Sequence, residues 1–396
     1  MARSLDLYAE EKLAALEAQA LRRRLRDTAR EGVWIIRGGR RLLSFSCNDY
    51  LGLSVHPELK AAAKAAIDRY GVGAGASRLV TGNHPLYGVL EQRLAELKKT
   101  DDACVFGSGY LANTGIVPSL VGADDVIFAD ALCHSCLWAG AQLSQAQLHV
   151  FRHNDVAHLE ELLACHRSAH AHALILTDGV FSMDGDLAPL PELAQLAARF
   201  DAWLMSDDAH GLGVLGGGAG SAAAMGVTPD IQMGTLSKAL GSYGGYLCAN
   251  RPVIELMRTR ARTLIFSTGL PPAQIAAAIA ALDIIRKEPE RVMAPLARAR
   301  AFTTALDLVA AQSPIVPLVL GDERTALTAS SILEEAGFAV VAIRPPTVPA
   351  GTSRLRIAFS ALHTDADVIR LAETVRTKVL HGAQPMTMAD AVKPSA

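Results

Sequence analysis

The sequence predicts an α/β protein, with a mostly parallel central sheet covered by helices on both faces and a smaller C-terminal α/β domain. Three observations carry that expectation. Short apolar runs alternate with helical patterns between about residues 101 and 250, as strands joined by crossover helices do. Residues with chemical character sit at the exits of those runs, where ligands of open α/β sheets gather. At 396 residues the chain exceeds the ~250–300 at which a single core splits, so two domains are expected.

In chain order, Met1 to Arg26 is rich in Glu and Arg and lacks the apolar stretch of a secretory signal. It reads as a charged amphipathic helix, and residues 1–45 as a helix and arm. Strands are expected at Ala103–Phe106, Val126–Ala129, Leu148–Phe151, Ala173–Thr177, Ala202–Met205, Ile231–Gly234 and Gly245–Ala249. Helical spacing lies between several of them, as in Val156–Cys165 and Leu190–Phe200. Pro271-Pro272 opens a helical run, Ala273–Ile285, after which charge rises through Arg286 to Arg300. The boundary is placed there, giving a large domain at 46–285 and a small one at 286–380. The small domain has strands near Ile315–Leu320, Ala339–Ile343 and Leu355–Phe359. Residues 381–396 have no periodicity and read as a frayed tail.

Composition removes several classes of function. Hydrophobic residues make up 50% and charged residues 20%, a globular balance. A net charge of −2 without a basic stripe gives no reason to expect nucleic acid. No apolar run approaches the ~18 residues of a membrane span. Six scattered cysteines, most in apolar surroundings, suit reduced thiols in a cytoplasmic enzyme. Cys133-His134-Ser135-Cys136 spells C-x-x-C, but no second ligand pair stands at matching spacing, so no metal is expected.

The chemistry is concentrated in two segments. Gly234-Thr235-Leu236-Ser237-Lys238-Ala239-Leu240-Gly241 places a lysine in a turn of small residues between two apolar runs. Alone, that lysine would read as a solvated loop residue. Ser206-Asp207-Asp208-Ala209-His210-Gly211, at the end of an earlier run, changes the reading. A lysine amine can bond covalently to an aldehyde, and an aspartate can pair with a pyridinium nitrogen and keep the ring an electron sink. The expected cofactor is therefore pyridoxal 5'-phosphate. Asp207 and Asp208 compete for the nitrogen, and Asp207 is favoured because it ends the strand. His210 could then reach the ring's phenolic oxygen.

Supporting positions follow. Phe106-Gly107-Ser108-Gly109-Tyr110 joins a strand to a helix, whose first amides, at Gly109 and Tyr110, would favour a phosphate. Thr235 and Ser237 add hydroxyls near it. His134 opens a helix; without context it is a cap, and beside a cofactor its flat ring could stack on the pyridine. Ser182 lies in the loop Gly179–Asp186, which otherwise reads as a strand exit with a turn at Asp184-Gly185. Gly211-Leu212-Gly213-Val214-Leu215-Gly216 matches G-x-G-x-x-G, but the glycines continue to Gly220 with no helical pattern, so a dinucleotide site is not expected.

Together these residues resemble the fold-type I pyridoxal-phosphate enzymes and, among them, the α-oxoamine synthases. The match runs from about Arg22 to His363 through Asn48–Leu53, Gly73–Gly82, Ser182–Asp186, Asp207–Gly211, Thr235–Gly241 and Arg344–Arg356. The resemblance implies that Lys238 holds the cofactor and moves protons at the amino-acid Cα. It gives Asp207 the pyridine nitrogen, His210 the ring oxygen and His134 the ring face, with Ser182, Thr235, Gly109 and Tyr110 holding the rest. Thr268 would reach the phosphate of a neighbouring subunit, which implies a homodimer. Arg356 would bind the amino-acid carboxylate; Arg354 shares its face by the two-residue strand period, and the family pattern favours Arg356. Arg22 and Thr347 would meet the acyl substrate, although Arg22 also reads as one charge on a solvated Arg22-Arg23-Arg24 face. Asn48 is a further candidate. Residues Ser77–His84 and Arg344–Thr352 look most like the members that condense L-alanine with a pimeloyl thioester, on CoA or an acyl carrier protein.

Overall fold

The computed structural model describes residues 3–381. The expected tail falls almost wholly outside the described residues. The described residues divide into two compact units, one of residues 48–297 and 312–314 and the other of residues 3–47, 298–311 and 315–381.

The larger unit is built on a seven-stranded sheet. In spatial order its strands are Asp102–Phe106, Gly245–Ala249, Ile231–Thr235, Trp203–Asp207, Ala173–Asp178, Val126–Asp130 and Gln147–Phe151. The last five pair in parallel, and Gly245–Ala249 runs antiparallel to both its neighbours. Each expected strand is present: Gly245–Ala249 has the expected bounds, five others are one residue longer, and the strand expected at Ala202–Met205 starts one residue later and runs two further, to Asp207.

The near-continuous apolar runs have a physical reason: alternate residues feed opposite cores. Ile127, Leu174, Met205 and Met233 pack with Ile116 of helix Gly109–Leu120 and Leu137 of helix Ser135–Ser144. Val126, Phe128, Ile175 and Leu204 pack with Leu159 and Leu163 of helix Val156–His166 and Leu193 and Leu196 of helix Leu190–Arg199. The carboxyl ends Phe106, Asp130, Asp178, Asp207 and Thr235 share one edge of the sheet.

The smaller unit holds two sheets. Ala29–Glu31, Trp34–Arg37, Arg40–Ser44 and Phe338–Ala339 form one; Ile315–Gly321, Ser353–Ala358 and Val341–Ile343 form the other. The turn between Arg37 and Arg40 is Gly38-Gly39, both at positive φ (54° and 76°), as a two-residue hairpin requires. Two expectations are corrected. The N-terminal helix spans only Ser4–Ala18 and buries no residue, and a hairpin sheet follows it. The run Ala339–Ile343 is two short strands that break at Val340 and join different sheets. Among the described residues, no helix is long and apolar enough to cross a membrane.

Candidate active site

A cavity of about 180 Å³ opens at the carboxyl edge of the large sheet, lined among others by Gly109, Tyr110, His134, Asp207, His210, Thr235 and Lys238. Lys238 lies in the turn after strand Ile231–Thr235, and its Nζ is 2.7 Å from His210 Nε2. The other ring nitrogen, Nδ1, is 2.6 Å from the Tyr50 hydroxyl, which also donates to Asn48 Oδ1 at 3.3 Å.

Asp207 is the last residue of strand Trp203–Asp207 and is buried. Its Oδ2 accepts from Asn113 Nδ2 at 2.7 Å and its Oδ1 from the Ala209 amide at 3.0 Å. Asp208 turns the other way. Its carboxylate takes Lys98 Nζ at 2.6 Å and the Ser221 hydroxyl at 2.7 Å, with both charged side chains 2% exposed. Of the two acids, Asp207 alone lines the cavity.

His134 caps helix Ser135–Ser144, its Nδ1 accepting from the Cys136 amide, while its own amide donates to Asp178 Oδ1 at 3.2 Å. Burial lowers its pKa and Lys238 lowers it further, against the pull of Asp207, so the imidazole is neutral near pH 7. Burial, and then the Asp207 carboxylate, push Asp178 well above the usual carboxylate range. Burial likewise holds the Cys136 thiol up at about 12, so it is not a nucleophile at this site.

Gly109 and Tyr110 are the first residues of helix Gly109–Leu120, where amides lack intrahelical acceptors. Ser108 caps the third amide, that of Leu111, at 3.1 Å. Thr235 Oγ1 donates to Gly244 O at 2.7 Å and accepts the Ser237 amide at 3.2 Å; Ser237 Oγ also pairs with Gly244 O. Ser182 is buried in the loop closed by Phe181 and Asp186. Thr268 is exposed, paired through its backbone with Ser77, and does not line the cavity.

The remaining candidates belong to the smaller unit. Arg354 and Arg356 are both buried on strand Ser353–Ala358. Arg354 is committed to its own turn, with Nε on Thr352 O and Nη2 on Thr352 Oγ1, both at 2.9 Å. Arg22 pairs with Glu17 at 3.3 Å, and it is Arg23 that donates to Thr347 Oγ1, at 2.9 Å.

The sequence reading missed Tyr50, Asn113 and Lys98 as individuals. A polar Asn113 on the largely buried helix Gly109–Leu120 was the available signal; Lys98 gave none.

A primary amine, a buried carboxylate gripped by an amide and a helix N-terminus facing one cavity are a donor set suited to an aldehyde, a pyridine nitrogen and a phosphate. Fold and site together define a pyridoxal-phosphate enzyme, and the family model described as aminotransferase class I and II matches residues 40–375. The 8-amino-7-oxononanoate synthase of Methylocella silvestris is 66% identical over 343 residues, 86% of this chain and 98% of the relative. That of Beijerinckia indica subsp. indica is 61% identical over 375 residues, 94% of this chain and 97% of the relative. Among solved structures, a serine palmitoyltransferase from S. paucimobilis with bound PLP-myriocin aldimine superposes with a TM-score of 0.89 at 28% identity, covering 95% of this chain and 98% of that one. The chain belongs to the aminotransferase class I and II family and, within it, to the 8-amino-7-oxononanoate synthases.

Proposed function

We propose that this protein condenses L-alanine with a pimeloyl thioester, on CoA or acyl carrier protein, releasing CO2 and the thiol and giving 8-amino-7-oxononanoate for biotin synthesis. The observation that carries the reading is 61–66% identity to synthases of that name over nearly their whole length.

Pyridoxal 5'-phosphate, when bound, supplies an electron sink for the amino-acid Cα. Lys238 is the residue that attaches it and then takes and returns the Cα proton. Asp207, gripped by Asn113, keeps the pyridine nitrogen charged. His210 would hydrogen-bond the ring oxygen, and the neutral His134 would supply a flat face for the ring to stack on. Gly109 and Tyr110 offer amides to the phosphate; Ser182 and Thr235 hold the rest, and Thr268 serves the partner subunit of a homodimer. Arg356 takes the alanine carboxylate, the assignment that the resemblance to the α-oxoamine synthases favours over Arg354, whose guanidinium bonds Thr352. Arg22, Thr347 and Asn48 belong to the acyl and amino-acid sides. Six free cysteines support a cytoplasmic setting.

The test is a visible spectrum of the purified protein, titrated with L-alanine, glycine and L-serine and then pimeloyl-CoA, with the product weighed by mass spectrometry. A yellow protein that responds to L-alanine, makes the expected ketone and loses the band of the lysine-bound cofactor as Lys238→Ala supports the proposal. A response to glycine or serine alone keeps the chemistry and overturns the substrate. A protein that never binds the cofactor overturns both.

A further inference from the structure

We propose that Tyr50 is a positioning residue that lets His210 take up and return the Lys238 proton. The inference rests on the cofactor role given to Lys238 above. Lysine ordinarily holds its proton to a pKa of ~10.4, yet bonding an aldehyde needs the free amine. The partner that can relieve it is already in contact, with Nζ 2.7 Å from His210 Nε2.

The transfer balances within these groups. An N–H bond on Lys238 breaks, its electron pair stays on the lysine nitrogen, and the proton bonds to Nε2. His210 is then an imidazolium whose second proton, on Nδ1, must have an acceptor, because the ring is only 5% exposed. Tyr50 supplies it. Its oxygen is 2.6 Å from Nδ1, and its own proton is occupied on Asn48 Oδ1. A hydroxyl can accept and donate at once.

The backbone fixes the three groups together. Asp49 takes the Leu53 amide at 2.9 Å and the Ser54 hydroxyl at 2.6 Å, which sets the loop bearing the fully buried Tyr50. The Lys238 turn closes at Gly241, where φ is +63° and a Cβ would lie 2.3 Å from Ser54 N. Only glycine lets the two loops touch there. Asp178, Asp207 and His134 act electrostatically on this corner, and Asp208 lies behind it on Lys98; none of them changes when Tyr50 does.

Two measurements test the proposal. In 15N-histidine NMR of the cofactor-free protein, with His210 assigned by its loss in His210→Gln, Nδ1 is expected to carry a proton. A bare Nδ1 overturns the proposal without any variant of Tyr50. Second, stopped-flow absorbance follows attachment of pyridoxal phosphate at pH 7.5. Tyr50→Phe keeps the ring but not the oxygen and is expected to attach about tenfold more slowly, with its pH profile moved upward. Equal rates and profiles overturn the role of Tyr50 alone. A wild-type protein that attaches no cofactor overturns the Lys238 reading and this one with it.

Discussion

Replacing Lys98 by methionine tests whether the corner behind the cavity is held by one buried ion pair. Lys98 ends helix Leu86–Lys98 and reaches Asp208 Oδ2 at 2.6 Å and Ala219 O at 2.7 Å. Both charged side chains are 2% exposed, so water can replace neither partner. Removing one member of such a pair costs about 3–5 kcal/mol, because the other charge is left buried. Asp208 keeps the Ser221 hydroxyl and amide, which places the expected cost near the lower end, about 3 kcal/mol. For a unit of this size that corresponds to roughly 6–12 °C in Tm. Asp208→Asn strands the ammonium instead and should cost a similar amount. The double variant Lys98→Met with Asp208→Asn buries no charge and should lose only about 1 kcal/mol, a coupling well above the additive error. Calorimetry of the four proteins completes the cycle. A Lys98→Met loss under about 1 kcal/mol, or an additive double variant, refutes the reasoning.

Three further outcomes are expected. His363 is buried, stacked on Phe45 at 3.9 Å, and donates Nε2–H to Ser44 O, and burial lowers its pKa to about 4. Its folded pKa lies below the unfolded value, so its contribution is whole above about pH 6.5 and is lost as pH falls toward 4, by about 2–3 kcal/mol. Denaturant midpoints against pH should show that acid arm, and His363→Gln should lack it. His153 has the opposite sign: burial lowers its pKa, but hydrogen bonds to Asp130 and Asp186 override this and raise it to about 10. That contribution is present below about pH 6.5 and fades as pH rises through 10, so His153→Gln should be less stable at pH 7 and converge on wild type in alkali. Finally, Gly241→Ala should lose several degrees of Tm and most cofactor attachment, because its Cβ would meet backbone; an unchanged attachment rate would count against the turn geometry.

The large sheet was legible because it is buried on both faces, which turns each strand into an unbroken apolar run such as Ala173–Asp178. The candidate site stood out for a related reason: Asp207 ends one apolar run and Lys238 follows another, at the edge where the strands stop. The smaller unit was less so. Its strands are three to seven residues long apart from the two-residue Phe338–Ala339, and that piece pairs with Arg40–Ser44 across nearly 300 positions of chain. No local pattern encodes such a partner. Asp207 against Asp208 could be ranked from strand position, but the decisive fact, Lys98, lies about a hundred residues away. Tyr50 was visible as a residue in a block, and its partner His210 is 160 positions distant.

The backbone does not choose the substrate. At a TM-score of 0.89 this chain follows a serine palmitoyltransferase at 28% identity, while its 61–66% relatives are 8-amino-7-oxononanoate synthases. Attaching the cofactor, charging its ring nitrogen and moving a proton at Cα serve any amino acid, so the frame that presents Lys238, His210 and Asp207 is free to stay the same. Alanine differs from glycine by one methyl and from serine by one hydroxyl, and a pocket discriminates such changes by about 1–3 kcal/mol unless a polar partner is built for the hydroxyl. Differences of that size come from single side chains, which a Cα superposition does not see and identity over the whole chain does.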